Sequence, residues 1–270
     1  MNNDITISSP DFPRISYSKQ GNGEVLMLLH GFPENHELWK PVLPTLSQKY
    51  TVISPDLPGS GNSTLDQENI TIEEMAEAVI AIVKAEKIEK MVLAGHSMGG
   101  YISLAFAEKY PSYLKGLSLI HSTATSDDEE KKTKRQKSVA LIRKGGKEAF
   151  IREMVPNLFA ERFRKENKAI IATQTERGMM LSENSMIAFY NAMMNRTDRT
   201  AILRNANYPI QMIIGKEEKL APMDVLIGQA AMADISFISV FEDSLHMSMI
   251  EQPDRLASDL INFTDYCFSR

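Results

Sequence analysis

Only one cysteine, Cys267, occurs in 270 residues, so neither a disulfide framework nor a cysteine-built zinc cluster can exist within the chain. A reducing compartment is the expectation that follows. Basic excess is also lacking. The chain carries 30 Lys+Arg against 35 Asp+Glu, a net charge of −5, which argues against nucleic acid or an anionic membrane as the main partner. Long apolar runs are missing too. The longest, Val25 to Leu29 and Val79 to Val83, are far too short to span a bilayer. Met1 to Thr6 has neither the basic start nor the apolar core of a signal peptide. No H-E-x-x-H or comparable ligand spacing occurs, so no metal is expected. These absences predict a soluble, cytoplasmic protein; separately, a small-molecule partner, no cofactor, and a monomer or homodimer are expected.

What is present is ordinary for a folded protein: 43% apolar and 24% charged residues. At roughly 150 residues per domain, the length fits one large domain with an insertion as well as two domains. Glu24 to Leu29, Tyr50 to Ser54, Lys90 to Ala94 and Leu114 to Ile120 read as strands separated by helical patterns. Thr71-Ile-Glu-Glu74 is a capping box that opens a helix with Met75, Val79 and Val83 on one face. The rhythm stops near Ser122. From there to about Asn205 only helical patterns occur, including the charge run Asp127 to Lys137. Alternation returns with Ile210 to Ile214, a helix from about Pro222, Ile235 to Phe241, and a helix from near Pro253. Such alternation implies an α/β fold with a mostly parallel sheet covered on both faces. The predicted division is a core of residues 1–121 and 206–270, interrupted by a helical insertion of residues 122–205. The insertion holds 17 Lys+Arg against 11 Asp+Glu, net +6, and the rest 13 against 24, net −11. Either the insertion docks on an acidic core, or its underside attracts anionic substrates.

Gly95-His96-Ser97-Met98-Gly99 lies between a strand and a helical run, the setting in which G-x-S-x-G marks a nucleophile elbow. A serine hydroxyl is a weak nucleophile and needs a base within reach. The chain has five histidines, His30, His36, His96, His121 and His246. His246 follows a strand after Glu242-Asp243-Ser244, at the carboxyl end where sites of open α/β sheets assemble. An acid between serine and histidine would orient the imidazole. Glu217, Glu218 and Asp224 compete for that role, with Asp127 and Asp128 further off.

In five places, in order, the chain resembles the α/β-hydrolase superfamily. His30-Gly-Phe-Pro33 is similar to its oxyanion turn, Pro55-Asp-Leu-Pro-Gly-Ser-Gly61 to its second loop, and Gly95 to Gly100 to its elbow. Gly215-Lys-Glu-Glu218 resembles its acid turn, and His246 with Glu251-Gln-Pro253 its histidine loop. The resemblance implies a doubly wound, mostly parallel sheet with an all-helical cap inserted after the sixth strand. It also implies a catalytic set of Ser97, His246 and Glu218, with the N–H groups of Phe32 and Met98 as the oxyanion hole. Two departures stand out: Glu218 replaces the usual aspartate, and Leu245 replaces a common glycine before the histidine. Leu245 must either bury under its loop or narrow the pocket.

Around the substrate we expect His30, Gly31, Trp39, His121, Leu245 and Met247, with Trp39 also anchoring its helix. Six of 16 methionines (Met154, Met179, Met180, Met186, Met193, Met194) lie in the insertion, and adaptable thioethers suit a loosely specific apolar pocket or simply fill the core. The resemblance implies hydrolysis of small apolar esters or lactones. Enol-lactone, haloperoxidase-like and C–C bond hydrolysis share nearly the same residues. A small-molecule receptor on the same scaffold is the alternative of another class.

Overall fold

A computed structural model describes residues 4–270. Its frame is an eight-stranded sheet of β1 (Asp4–Ile7), β2 (Ile15–Gln20), β3 (Val25–Leu29), β4 (Thr51–Pro55), β5 (Met91–His96), β6 (Leu114–Ile120), β7 (Ile210–Gly215) and β8 (Ser236–Phe241). The spatial order is β1-β2-β4-β3-β5-β6-β7-β8, with β1, β2 and β4 paired antiparallel and every pair from β4 to β8 parallel. Every residue of β5 and β7 is buried, as expected of central strands covered on both faces. β8, at the edge, alternates exposed and half-buried positions.

Between and after the strands run α1 (Leu43–Leu46), α2 (Ile72–Ala85), α3 (Met98–Lys109), α10 (Met223–Ala230), α11 (Ser248–Glu251) and α12 (Pro253–Phe268). From β6 to β7 the chain forms helices only: α4 (Glu129–Leu141), α5 (Lys147–Met154), α6 (Glu161–Glu166), α7 (Lys168–Met180), α8 (Glu183–Asn195) and α9 (Thr200–Asn205), with short 3₁₀ and π turns. The capping box is present at α2. Thr71 Oγ1 accepts from the Glu74 N–H at 3.1 Å, and Glu74 accepts in return from the Thr71 N–H at 2.7 Å. Met75, Val79, Ile82 and Val83 are buried below it.

The two N-terminal strands escape a reading of local pattern. β1 is four residues long and half-exposed, and β2 reads Ile-Ser-Tyr-Ser-Lys-Gln, with little apolar run to mark it. They exist because the edge of β4 supplies a ladder, a tertiary influence on weak local propensity.

Part of the positive charge of the helical segment is spent on docking. Arg199 is 4% exposed and reaches Glu108 at 2.9 Å and Glu73 at 2.5 Å, both on sheet-side helices. Arg177 reaches Glu37 at 3.2 Å. Phe32 packs edge-on against Tyr190 of α8, with ring centroids 5.0 Å apart. Among the described residues, no helix is long and apolar enough to cross a membrane.

Candidate active site

β5 runs straight into α3 with a single residue, Ser97, between them, and that residue takes φ 51°, ψ −113°. A non-glycine residue in this region is strained, and it persists only where its surroundings hold it. Here the Ser97 N–H donates to Ile120 O at 2.9 Å, and Ser122 Oγ donates to Ser97 O at 2.8 Å. Gly99 is required behind the turn, because a Cβ there would lie 2.5 Å from Leu29 O. Among the described residues the Ser97 hydroxyl has no hydrogen-bond partner, and the N–H groups of Phe32 and Met98 have no acceptor.

His246 sits in the loop between β8 and α11, fixed at both backbone ends. Its N–H donates to Leu158 O, from the helical segment, at 3.1 Å, and its carbonyl accepts from His96 Nε2 at 2.9 Å. Its Nδ1 faces Glu218, 3.1 Å from Oε1 and 3.0 Å from Oε2. A carboxylate opposite Nδ1 puts the proton on Nδ1 and leaves Nε2 as the basic nitrogen. Glu218 stands in the turn after β7, where the N–H groups of Lys219 and Leu220 donate to Oε1 at 2.9 and 3.0 Å. Gly215 lets this turn meet the histidine loop, since a Cβ there would fall 2.0 Å from Leu245 O.

The electrostatics follow from these partners. Burial disfavours charge on Glu218, yet His246 and His121 outweigh it and hold the carboxyl well below the ordinary range. Burial also disfavours the His246 imidazolium, but Glu218, helped by Glu34 and Glu251, raises its pKa above the ordinary value.

Residues 24–142 match the family described as alpha/beta hydrolase fold. An esterase from Thermogutta terrifontis, solved with malate bound, superposes at a TM-score of 0.87 over 99% of both chains with 29% identity. This chain has the α/β-hydrolase fold. An enol-lactonase from Burkholderia xenovorans shares the fold at a TM-score of 0.88 and 19% identity, covering 96% of this chain and 99% of that one. An uncharacterized protein of Mycobacterium tuberculosis is 30% identical over 115 residues, which is 43% of this chain and 34% of that protein. The matched stretch therefore spans about a third of such relatives, and function has to be argued from the site.

Within this fold the candidate acids separate clearly. Of the five candidates, Glu218 is the one that bonds His246. Glu217 and Asp224 are exposed, Asp127 pairs with Arg135 and Arg196, and Asp128 caps α4. Most residues expected around the substrate are instead structural. His30 is fully buried, its Nε2 accepting from Leu57 N at 3.0 Å and bonded to Ser60 Oγ at 2.9 Å, so it ties the oxyanion turn to the second loop. Gly31 is buried and gives its N–H to Glu34 at 3.0 Å. Trp39 is fully buried and anchors its short helix in the core. Leu245 is 5% exposed, packed under its loop as the bulk of its side chain demands. His121 is 1% exposed and bonds Glu218 rather than a ligand. Met247 lines a cavity of about 370 Å³, together with Pro33, Glu34, Leu158, Arg177 and Met180. That cavity lies beside the site, for neither Ser97 nor His246 is among its walls.

A three-donor set of His121, Glu218 and His246 places its ligand atoms within 4.8 Å of one another, the spacing a metal would need. Those atoms are already engaged with one another by hydrogen bonds.

Two acids went unrecognised as site residues. Glu34 Oε2 accepts from Gly31 N and pairs with His96 Nδ1, each at 3.0 Å, while His96 Nε2 holds the His246 carbonyl. A lone charge directly after an apolar turn was the available signal. Glu251 receives the N–H groups of Leu245 at 3.1 Å and Met247 at 3.2 Å, the Ser244 hydroxyl, and the Ala160 N–H at 2.7 Å. It thereby ties the histidine loop to the helical segment. Replacing Glu251 by Ala leaves these donors without an acceptor, and unfolding in urea is expected to show a loss of about 2 kcal/mol or more. An unchanged midpoint would mean that water replaces the carboxylate at no cost.

Proposed function

We propose that this protein cleaves small, largely apolar carboxylic esters or lactones through an acyl-enzyme on Ser97. The observation that carries the reading is the Glu218–His246 pair, with His246 held against His96, the residue before a strained serine whose hydroxyl has no partner among the described residues. In this reading Ser97 Oγ attacks the carbonyl carbon while His246 Nε2 takes its proton. The carbonyl oxygen becomes an oxyanion and is met by the free N–H groups of Phe32 and Met98. Pro33 has no N–H to offer. His246 then gives its proton to the leaving alcohol, and water repeats the sequence on the acyl-enzyme. Each oxyanion donor is worth about 3 kcal/mol of barrier. Residues 122–205 act as a cap over this site, with Leu158 fastening it to the His246 loop. The esterase and enol-lactonase likenesses point the same way.

The test is hydrolysis of p-nitrophenyl esters of rising acyl length. Turnover with an optimum in chain length is expected, and no turnover across the series would sink the reading in favour of binding alone. The pH dependence has a definite sign. The base works only when neutral, and its pKa is raised, so activity rises with pH along an acidic limb displaced above the ordinary histidine value near 6.5. Glu218 stays ionised throughout and adds no limb at ordinary carboxylate pH. A kcat/KM profile flat from pH 5 to pH 9 would contradict the assignment of His246 as the base.

A further inference from the structure

Glu218 serves two histidines. The Nδ1 of His121 lies 3.1 Å from Glu218 Oε2, the oxygen that also meets His246 Nδ1 at 3.0 Å. The ring of His121 is itself held from behind, with Nε2 bonded to Ser248 Oγ at 2.8 Å and approached by the Ser248 N–H at 3.4 Å. A backbone N–H can only donate, so Nε2 is the accepting nitrogen and Nδ1 carries the proton aimed at Glu218. Like Ser97, His121 has a positive φ, 47°, and its N–H is tied to Ile213 O at 2.8 Å. Two neighbouring strands, β5 and β6, thus each end in a strained non-glycine residue that serves the same site.

A glutamate has one more rotatable bond than an aspartate, and a longer carboxylate held on one oxygen alone can swing away from its partner. Here Oε1 is held by the N–H groups of Lys219 and Leu220 and Oε2 by His121, so His246 Nδ1 meets both oxygens at nearly equal distance. We propose that His121 is a positioning residue, a neutral donor that locks Glu218 and allows glutamate to serve as the orienting acid for His246. The inference rests on the hydrolase reading above.

The buried imidazole of His121 is held neutral, its pKa pushed down to about 4 by burial against the opposing pull of Glu218. It therefore supplies a hydrogen bond without a second positive charge to compete with the His246 imidazolium. The charged and titratable groups facing His246 are Glu218 after β7, Glu34 after β3, Glu251 on α11, and the rings of His96 and His121. Taking the His121 donor from Glu218 leaves the carboxylate a stronger partner for His246, so the His246 pKa must rise while the geometry of the pair loosens.

Two variants separate positioning from packing. His121→Gly accepts positive φ but has no donor. His121→Asn tolerates positive φ and places an amide N–H near the position of Nδ1. With p-nitrophenyl butyrate, His121→Gly is expected to lose kcat on the order of 10-fold or more with little change in KM, as for other groups that orient a reacting residue. The acidic limb of its profile moves to higher pH, and His121→Asn restores much of both. Titration of His246 followed by ¹H–¹⁵N NMR reads the same shift without turnover, so it decides the role of His121 even if no ester is cleaved. A native His246 titration in His121→Gly, or equal losses in the Gly and Asn variants, would overturn the proposal.

Discussion

Ser97→Ala is expected to lower kcat on p-nitrophenyl esters by about 10⁴-fold or more, while leaving the unfolding midpoint unchanged. The two halves of this expectation have separate causes. Activity falls because the attacking oxygen is gone, and neither His246 nor the oxyanion donors can form an acyl-enzyme without it. Stability holds because the Ser97 hydroxyl bonds no other group among the described residues. The local hydrogen bonds run through its backbone N–H and carbonyl, which alanine keeps. Stopped-flow release of p-nitrophenol alongside urea unfolding measures both. A variant that retains a tenth of native turnover would show that another residue is the nucleophile.

The second large effect is expected at Glu218→Gln. The side-chain oxygen of glutamine can face either the N–H groups of Lys219 and Leu220 or the two histidines, but not both. With its oxygen on the backbone donors, its NH₂ points at His246 Nδ1. That nitrogen must then accept, and the ring proton moves to Nε2. A ring protonated at Nε2 cannot take the serine proton, so kcat is expected to fall about 10³-fold or more, as in other triads whose acid becomes an amide. The acidic limb should weaken as well, because the charge that raises the His246 pKa has gone. Retention of native activity would remove Glu218 from the mechanism. Glu217 and Asp224 are exposed and offer no ready substitute.

The elements readable from the chain were those with local causes. A buried parallel strand is a short apolar run, and the runs at Val25, Met91, Leu114 and Ile210 became β3, β5, β6 and β7. The elbow is five consecutive residues, and its two glycines and serine state their geometry without help from distant chain. The Thr71–Glu74 capping box is likewise complete within four residues. The absence of strand pattern between Ser122 and Asn205 corresponded to helices α4 to α9.

What the sequence determined alone, then, was the order of the sheet-forming runs, the helical interruption, and the strained serine turn, because each depends on contacts a few residues long. Only the tertiary structure decided what each polar side chain touches. His121 and Glu218 are separated by 97 positions, and His96 and His246 by 150. No local period encodes either contact. His30 and His121 looked like pocket residues from their places at strand ends and turns, yet burial required partners within the protein and drew them inward. The choice of Glu218 over Glu217 was also tertiary. Adjacent residues leave a turn in different directions, and only one of the two carboxylates points at the histidines, held there by backbone N–H groups and a second imidazole.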